Sequence, residues 1–251
     1  MPTTIETVRE ALASARRDGS LVETGSLPVP ASLSDGFAAQ AAIAGRLGLT
    51  EAGWKVAIAP DGAPVAGLMP GPWLAPGGVY EGAIGAELRI EIELGLRLGR
   101  DVPLRPAQPY SRAELLSHCD KAFLGIEIVE SRLANWEGRV ALPLWVADAM
   151  GHGGYVVGPD LDLKVLDDLT GLGCFISLNG VTLYDQPAVH GNGDPMTPFL
   201  AWANRKAEFM GGLRAGQIVT TGSLCGGVLS PGKGEVVTKL SPLVTVSLSL
   251  R

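Results

Sequence analysis

The chain is short of the residues that staple or metallate small folds. Its 251 residues hold three cysteines and three histidines. Cys119, Cys174 and Cys225 are odd in number, lie far apart in sequence and form no C-x-x-C pair, which argues against a disulfide framework or a structural zinc site. A reducing cytoplasm is then the default compartment. His118, His152 and His190 are equally scattered, and without H-x-x-x-H or H-E-x-x-H a zinc-protease reading has no support. No Lys/Arg cluster offsets the net charge of −6, so neither nucleic acid nor an anionic membrane surface is an expected partner. No apolar run approaches the roughly 20 residues of a membrane-spanning helix. The opening Met1-Pro-Thr-Thr-Ile-Glu6 has no basic stretch leading into an apolar one and does not read as a secretory signal. A G-x-S-x-G elbow is missing, which weakens an α/β-hydrolase reading. Ser230-Pro-Gly-Lys-Gly234 lacks both the spacing of a phosphate loop and the helix that should follow one.

What is present is apolar and turn-rich. Apolar residues make up 46% and charged residues 18%, enough for a sizeable core, while 34 glycines and 18 prolines favour short β-elements over a helical bundle. Two helices are expected in residues 1–52: one from Ile5 to Arg17 ending at Asp18-Gly19, the other opening at a Ser34 cap and closing on Gly48. Residues 53–251 read as a mostly β body, giving an α+β chain. Gly53–Pro60 is a strand, Asp61–Gly78 an irregular Gly/Pro-rich loop, and Ser111–Asp120 a helix with a Ser111/Glu114 capping box. Phe123–Arg132 is a strand, Leu142–Met150 a short helix, and Tyr155–Gly158 a strand. The Asn179-Gly180 dipeptide between Phe175 and Tyr184 marks a hairpin. A helix over Pro195–Met210, a strand at Ile218–Ser223 and two closing strands around Pro242 complete the reading.

The most informative stretch is Glu87–Gly99. Every even position from Leu88 to Leu98 is apolar and the odd ones are acid, base or glycine, the period-2 pattern of a half-buried strand. Glu91 and Glu93 therefore share a face, roughly 6.6 Å apart along extended chain. Two carboxylates that close repel unless a positive charge lies between them, and a hard divalent cation is the economical answer. The competing reading is an edge strand whose charges discourage aggregation, with Arg89 and Arg97 as counter-charges. Glu127, between Ile126 and Ile128, is an acid in an apolar stretch and a candidate third ligand, though periodicity does not make the two strands neighbours. With carboxylate ligands the expected ion is Mg²⁺ or Mn²⁺. Lys55, amid Trp54, Val56 and Ile58, either snorkels to water or serves as a cation for an anionic substrate. Asp148 and His152, four apart around a glycine-rich turn, are either an acid/base pair or structural. His190 sits in a segment that reads first as a loop.

Gly53-Trp-Lys-Val56, the E-I-E of Glu91–Glu93, Gly125–Arg132, Ala147–Gly158 and Leu213–Ser223 occur in an order that resembles the 2-keto-4-pentenoate hydratase / 4-oxalocrotonate decarboxylase group of the fumarylacetoacetate hydrolase fold superfamily. The resemblance covers nearly the whole chain. It implies a mixed β-roll body with a small N-terminal helical region, and Mg²⁺ or Mn²⁺ held by Glu91, Glu93 and Glu127. It further implies catalytic roles for Lys55 and for Asp148 in its loop, and a substrate pocket lined by Thr221, Gly222 and Ser223. The substrate would be a small 2-oxo acid or its dienol, the reaction hydration, decarboxylation or C–C hydrolysis through a shared metal-stabilised enolate. A partner subunit without activity of its own is the distant alternative. A homo-oligomer is expected. Many relatives carry an acid where this chain has Val65-Ala-Gly-Leu-Met69, often Asn at Ala149, and a small residue at His152. His152 is accordingly expected to supply the acid/base function that the Val65–Met69 segment lacks.

Overall fold

The computed structural model describes residues 1–82, 87–136, 140–206 and 211–251. The helices are α1 (Thr4–Asp18), α2 (Leu33–Leu47), α3 (Arg112–Leu116), α4 (Leu142–Ala147) and α5 (Met196–Ala203). The strands are β1 (Val22–Glu23), β2 (Gly53–Ile58), β3 (Pro64–Met69), β4 (Val79–Tyr80), β5 (Arg89–Leu98), β6 (Cys119–Val129), β7 (Leu133–Ala134), β8 (His152–Leu161), β9 (Gly173–Leu178), β10 (Val181–Pro187), β11 (Ile218–Ser223), β12 (Val228–Leu229), β13 (Gly234–Ser241) and β14 (Val244–Leu250). The fold is α+β. None of the described helices is long and apolar enough to cross a membrane.

The larger sheet runs β3-β2-β11-β5-β6-β8, with β12 also paired to β5. It is mixed, because β11 lies parallel to β2 and antiparallel to β5. A second sheet runs β10-β9-β13-β14-β4. Strand alternation sorts the larger sheet's side chains into two sets. Ile90, Ile92, Leu94 and Leu96 join Ile126, Ile128, Ile176, Val236, Val246 and Leu248 in one apolar core between the sheets. The odd positions of β5 point the other way. So β5 is a central strand, and the edge-strand explanation of its charges does not hold.

The N-terminal helices are well punctuated. Thr3 and Glu6 form a reciprocal capping box on α1, and Gly19 and Gly48 close α1 and α2 in the left-handed conformation. The cap of α2 is Ser32, whose side chain accepts from the Asp35 N–H, rather than Ser34, which lies in the first turn. Val8, Leu12, Ala39 and Ile43 pack with Leu144 and Ala147 of α4 in a second cluster.

Several boundaries differ from the sequence reading. Within the supposed loop Asp61–Gly78, Pro64–Met69 is a strand paired residue for residue with β2 and buried from Val65 to Met69. The flanking glycines and prolines masked its apolar run. The Ser111 helix stops at Leu116, because Cys119 already pairs with Leu98 in β6. The Leu142 helix ends at Ala147, because Ala149 and Met150 have φ of 52° and 54°, outside the right-handed region. The helix read over Pro195–Met210 is Met196–Ala203, and its 207–210 end lies outside the described residues.

Candidate metal centre

Register brings the acids together. Glu91 lies opposite Glu127 in the β5–β6 pair and Glu93 opposite Gly125, while Tyr155 of β8 lies opposite Glu127 from the other side. Thr220 of β11 pairs with Gly95 and with Lys55, and Lys55 with Gly67. Lys55, Glu91, Glu93, Glu127, Tyr155 and Thr220 therefore project from one face of five adjacent strands. One carboxylate oxygen from each of Glu91, Glu93 and Glu127 falls within 4.8 Å of the others. Glu93 and Glu127 are 1% and 0% exposed.

Two glycines make room for this face. A Cβ at Gly125 would come 1.8 Å from the Tyr155 hydroxyl, and one at Gly67 would come 2.4 Å from the Ala149 carbonyl oxygen. The first lets the phenol lie over β6, where its hydroxyl is buried beside Glu93 and Thr220. The second lets the Ala149–Met150 turn close over β3, and the left-handed Met150 offers its carbonyl to Lys55 Nζ at 3.2 Å.

Lys55 Nζ also stands 2.8 Å from Glu127 Oε1. Burial works against its ammonium, but Glu127, Glu91 and Glu93 outweigh it and hold the lysine above its ordinary value. Burial likewise pushes Glu127 up, and Lys55 with the His152 hydrogen bond brings it below the usual glutamate value. Glu91 and Glu93 get less help. Burial pushes Glu91 up to about 7, and burial with repulsion from Glu127 and Glu91 carries Glu93 well above the carboxylate range. The Thr220 hydroxyl donates to Glu93 Oε2. His152 is 1% exposed, and burial lowers it to about 4, so it is neutral at pH 7. Its Nδ1 lies 3.1 Å from Glu127 Oε1. A carboxylate only accepts, so Nδ1 carries the proton and Nε2 keeps a free lone pair.

The arrangement suits a hard divalent cation. Three carboxylates share one ammonium, Glu91 and Glu93 are raised for want of further positive charge, and Glu127 Oε2 is buried with no hydrogen-bond partner among the described residues. An orphaned anionic oxygen beside two other carboxylates is a strong demand for a cation.

The other predicted site residues are placed differently. Asp148 does not pair with the His152 ring. It is buried and fully engaged: its Oδ1 accepts from Arg132 Nε at 2.7 Å, and its Oδ2 from Ser131 Oγ at 2.8 Å and the Arg132 N–H at 3.0 Å. Arg132 and Arg16 of α1 both donate to the His152 carbonyl, at 2.8 and 2.7 Å. Asp148 thus anchors the turn that carries His152. Thr221 points away from the acids, its hydroxyl donating to the Leu94 carbonyl at 3.3 Å. Ser223 Oγ donates to the Gly226 carbonyl at 3.0 Å and accepts from the Cys225 N–H. Gly222, with φ of 114°, faces His190, whose Nε2 donates to the Thr221 carbonyl and whose Nδ1 accepts from the Asn192 N–H. Sequence reasoning missed Thr220 and Tyr155. Alternation in Ile218–Ser223 and Tyr155–Gly158 held the signal, but only strand pairing reveals which parity faces the acids.

These features define a class: a mixed-sheet protein with three clustered carboxylates on one face of its larger sheet. Residues 56–247 match the model of the fumarylacetoacetate (FAA) hydrolase C-terminal family, and the chain belongs to that family. It is 30% identical over 136 residues to a 2-keto-4-pentenoate hydratase of Burkholderia vietnamiensis, covering 54% of this chain and 50% of the relative. A 2-keto-4-pentenoate hydratase of Paraburkholderia phymatum is 29% identical over 161 residues, covering 64% and 60% respectively. The chain thus spans half to three-fifths of the length of these curated relatives. In fold it resembles the 4-oxalocrotonate decarboxylase from Pseudomonas putida G7, solved with magnesium and adipate, at a TM-score of 0.81 and 18% identity over 100% of this chain and 99% of that one.

Proposed function

We propose that this protein is a divalent-metal-dependent lyase that adds water to a 2-oxo or 2-hydroxy dienoate, like the 2-keto-4-pentenoate hydratases it resembles. The observation that carries the reading is the cluster of Glu91, Glu93 and Glu127, three carboxylates around one ammonium, with Glu127 Oε2 lacking a partner among the described residues. These residues would hold Mg²⁺ or Mn²⁺. Bound there, the cation supplies Lewis acidity to the oxygens of a 2-oxo acid and eases charge build-up along its C2–C3 unit.

The chain's own groups do the rest. Lys55, gripped between Glu127 and the Met150 carbonyl, stays cationic at neutral pH and attracts the substrate carboxylate. Neutral His152 accepts a proton at Nε2, its ring oriented by Glu127. Thr220 fixes Glu93, and Tyr155 supplies a buried hydroxyl that excludes water from the floor of the site. Residues 53–251 form the catalytic body, and residues 1–52 brace it: α2 packs on α4, and Arg16 holds the His152 carbonyl.

A second reading, decarboxylation of a 2-oxo diacid, is favoured by one feature. The segment Val65–Met69 presents Gly67 toward Lys55 and no carboxylate with which to activate water. Decarboxylation needs no activated water, because the electron pair left by CO₂ passes along the conjugated chain to the 2-oxo oxygen, which takes up the proton. Products from 2-hydroxypenta-2,4-dienoate, 4-oxalocrotonate and an acylpyruvate, each followed with Mg²⁺ and with chelator, decide among the reactions. Metal-dependent hydration of the first supports the proposal. CO₂ release from the second alone selects the decarboxylase, and no turnover of any of the three refutes both.

A further inference from the structure

Two of the cysteines that lie far apart in sequence meet in the fold. Cys174 is on β9 of the smaller sheet, and Cys225 follows β11 of the larger one. Cys174 lies in the apolar core between the sheets, and Cys225 packs against that core. Cys174 Sγ also donates to the carbonyl of Leu224, the residue before Cys225, at 3.7 Å. Cys174 is fully buried and Cys225 half-buried, so an agent from solvent meets Cys225 first. Both are free thiols. Cys119 is buried on β6 with its thiol on the Leu115 carbonyl.

The pair touches the strand that carries the acids. Cys225 Sγ accepts the N–H of Ile92 at 3.4 Å, and Ile92 stands between Glu91 and Glu93. The Ile92 carbonyl in turn accepts from the Leu224 N–H at 2.8 Å. Ser223 Oγ lies 3.6 Å from the same sulfur. The Ser223–Cys225 turn is therefore sewn to the middle of the E-I-E segment.

We propose that Cys174 and Cys225 form a reversible thiol switch in which a hydroperoxide oxidises Cys225, and Cys174 resolves it to a disulfide on the wall of the carboxylate site. In the first step the Cys225 sulfur attacks the peroxide O–O bond. That bond breaks, sulfur gains one oxygen as a sulfenic acid and loses two electrons, and the second oxygen leaves as water or alcohol with the thiol proton. In the second step the Cys174 sulfur displaces the sulfenic oxygen. The S–S bond forms, the S–O bond breaks, and water leaves with the Cys174 proton. A disulfide holds its sulfurs at about 2.05 Å, so Cys225 Sγ must draw toward β9 and away from the Ile92 N–H. The strand between Glu91 and Glu93 loses that tether, and divalent-cation affinity falls. The affinity change rests on the metal reading above, whereas the disulfide does not.

The test uses the full chain, reduced and then treated with hydrogen peroxide. Expected are a fall from three titratable thiols to one, a Cys174–Cys225 cross-linked peptide by mass spectrometry, and full reversal by dithiothreitol. Cys174→Ser should stop at a Cys225 sulfenic acid trapped by dimedone, and Cys225→Ser should keep both remaining thiols. The Mn²⁺ dissociation constant should rise at least tenfold on oxidation and return on reduction. Absence of the 174–225 peptide, or equal thiol loss in wild type and Cys225→Ser, overturns the switch. A cross-link with an unchanged Mn²⁺ constant overturns its regulatory role. Failure of the reduced protein to bind Mn²⁺ refutes the metal reading instead, while the cross-link still decides the thiol chemistry.

Discussion

Replacing Lys55 by methionine should destabilise the metal-free protein severely, and mainly through Glu127. The lysine side chain is 12% exposed and Glu127 0%, at 2.8 Å. Removing one partner of a buried pair strands the other charge, at a cost of about 3–5 kcal/mol. For a chain of this size that is a fall in Tm of about 6–20 °C, at about 2–4 °C per kcal/mol. Glu127→Gln alone strands the ammonium less severely, because Lys55 keeps Glu91, Glu93 and the Met150 carbonyl. The double variant Lys55→Met/Glu127→Gln removes both charges and should recover about 2–3 kcal/mol against the sum of the single losses. The pH dependence has a defined sign. Glu127 sits below its ordinary 4.5 and Lys55 above its ordinary 10.5, so the pair contributes fully between those values. Its contribution is lost as pH falls through the folded Glu127 value or rises through the folded Lys55 value. Without Lys55, burial drives Glu127 upward. The folded variant then holds a proton that the unfolded chain has released, and its deficit shrinks between pH 8 and pH 5. Urea unfolding in chelator at pH 5, 7 and 8 measures this. Additive single losses, or a deficit that grows as pH falls, would refute the reasoning.

Three further outcomes follow from the same geometry. In the metal-free protein Glu91, pushed up to about 7 by burial, holds its proton where the unfolded chain has lost it. The stability this gives is complete below 4.5 and declines as pH rises to about 7. Urea midpoints should show that decline, and Glu91→Gln should lessen it. Arg132→Met leaves the Asp148 carboxylate buried without its guanidinium and should cost about 3–5 kcal/mol in urea unfolding. A loss below about 1 kcal/mol would contradict the anchoring role given to Asp148. His152→Ala should lower turnover about 10²–10⁴-fold with Mn²⁺ affinity kept, and unchanged turnover would remove His152 from the chemistry.

The alternation of Glu87–Gly99 made Glu91 and Glu93 legible as a shared face, and the unusual setting of Glu127 and Lys55 marked both residues. The Asn179-Gly180 hairpin and the glycine stops of α1 and α2 were equally plain, because each rests on local backbone physics. What stayed hidden depends on strand order. Nothing local says that β11 inserts between β2 and β5, and that insertion selects Thr220 rather than Thr221 for the acid face. Tyr155 enters only through its pairing with Glu127, and Met150 only through a left-handed carbonyl. Asp148 looked like half of an acid/base pair because its partner Arg132 is remote in sequence. Cys174 and Cys225 looked unrelated for the same reason. The strand Pro64–Met69 was lost among the glycines and prolines around it.

Calorimetric titration of Mn²⁺ into chelator-stripped protein tests the central claim most directly. One ion per chain is expected for the wild type, with affinity reduced at least a hundredfold in Glu91→Gln, Glu93→Gln and Glu127→Gln alike. A wild type that takes up no ion, or an ion bound equally well by all three variants, would contradict the assignment of these carboxylates.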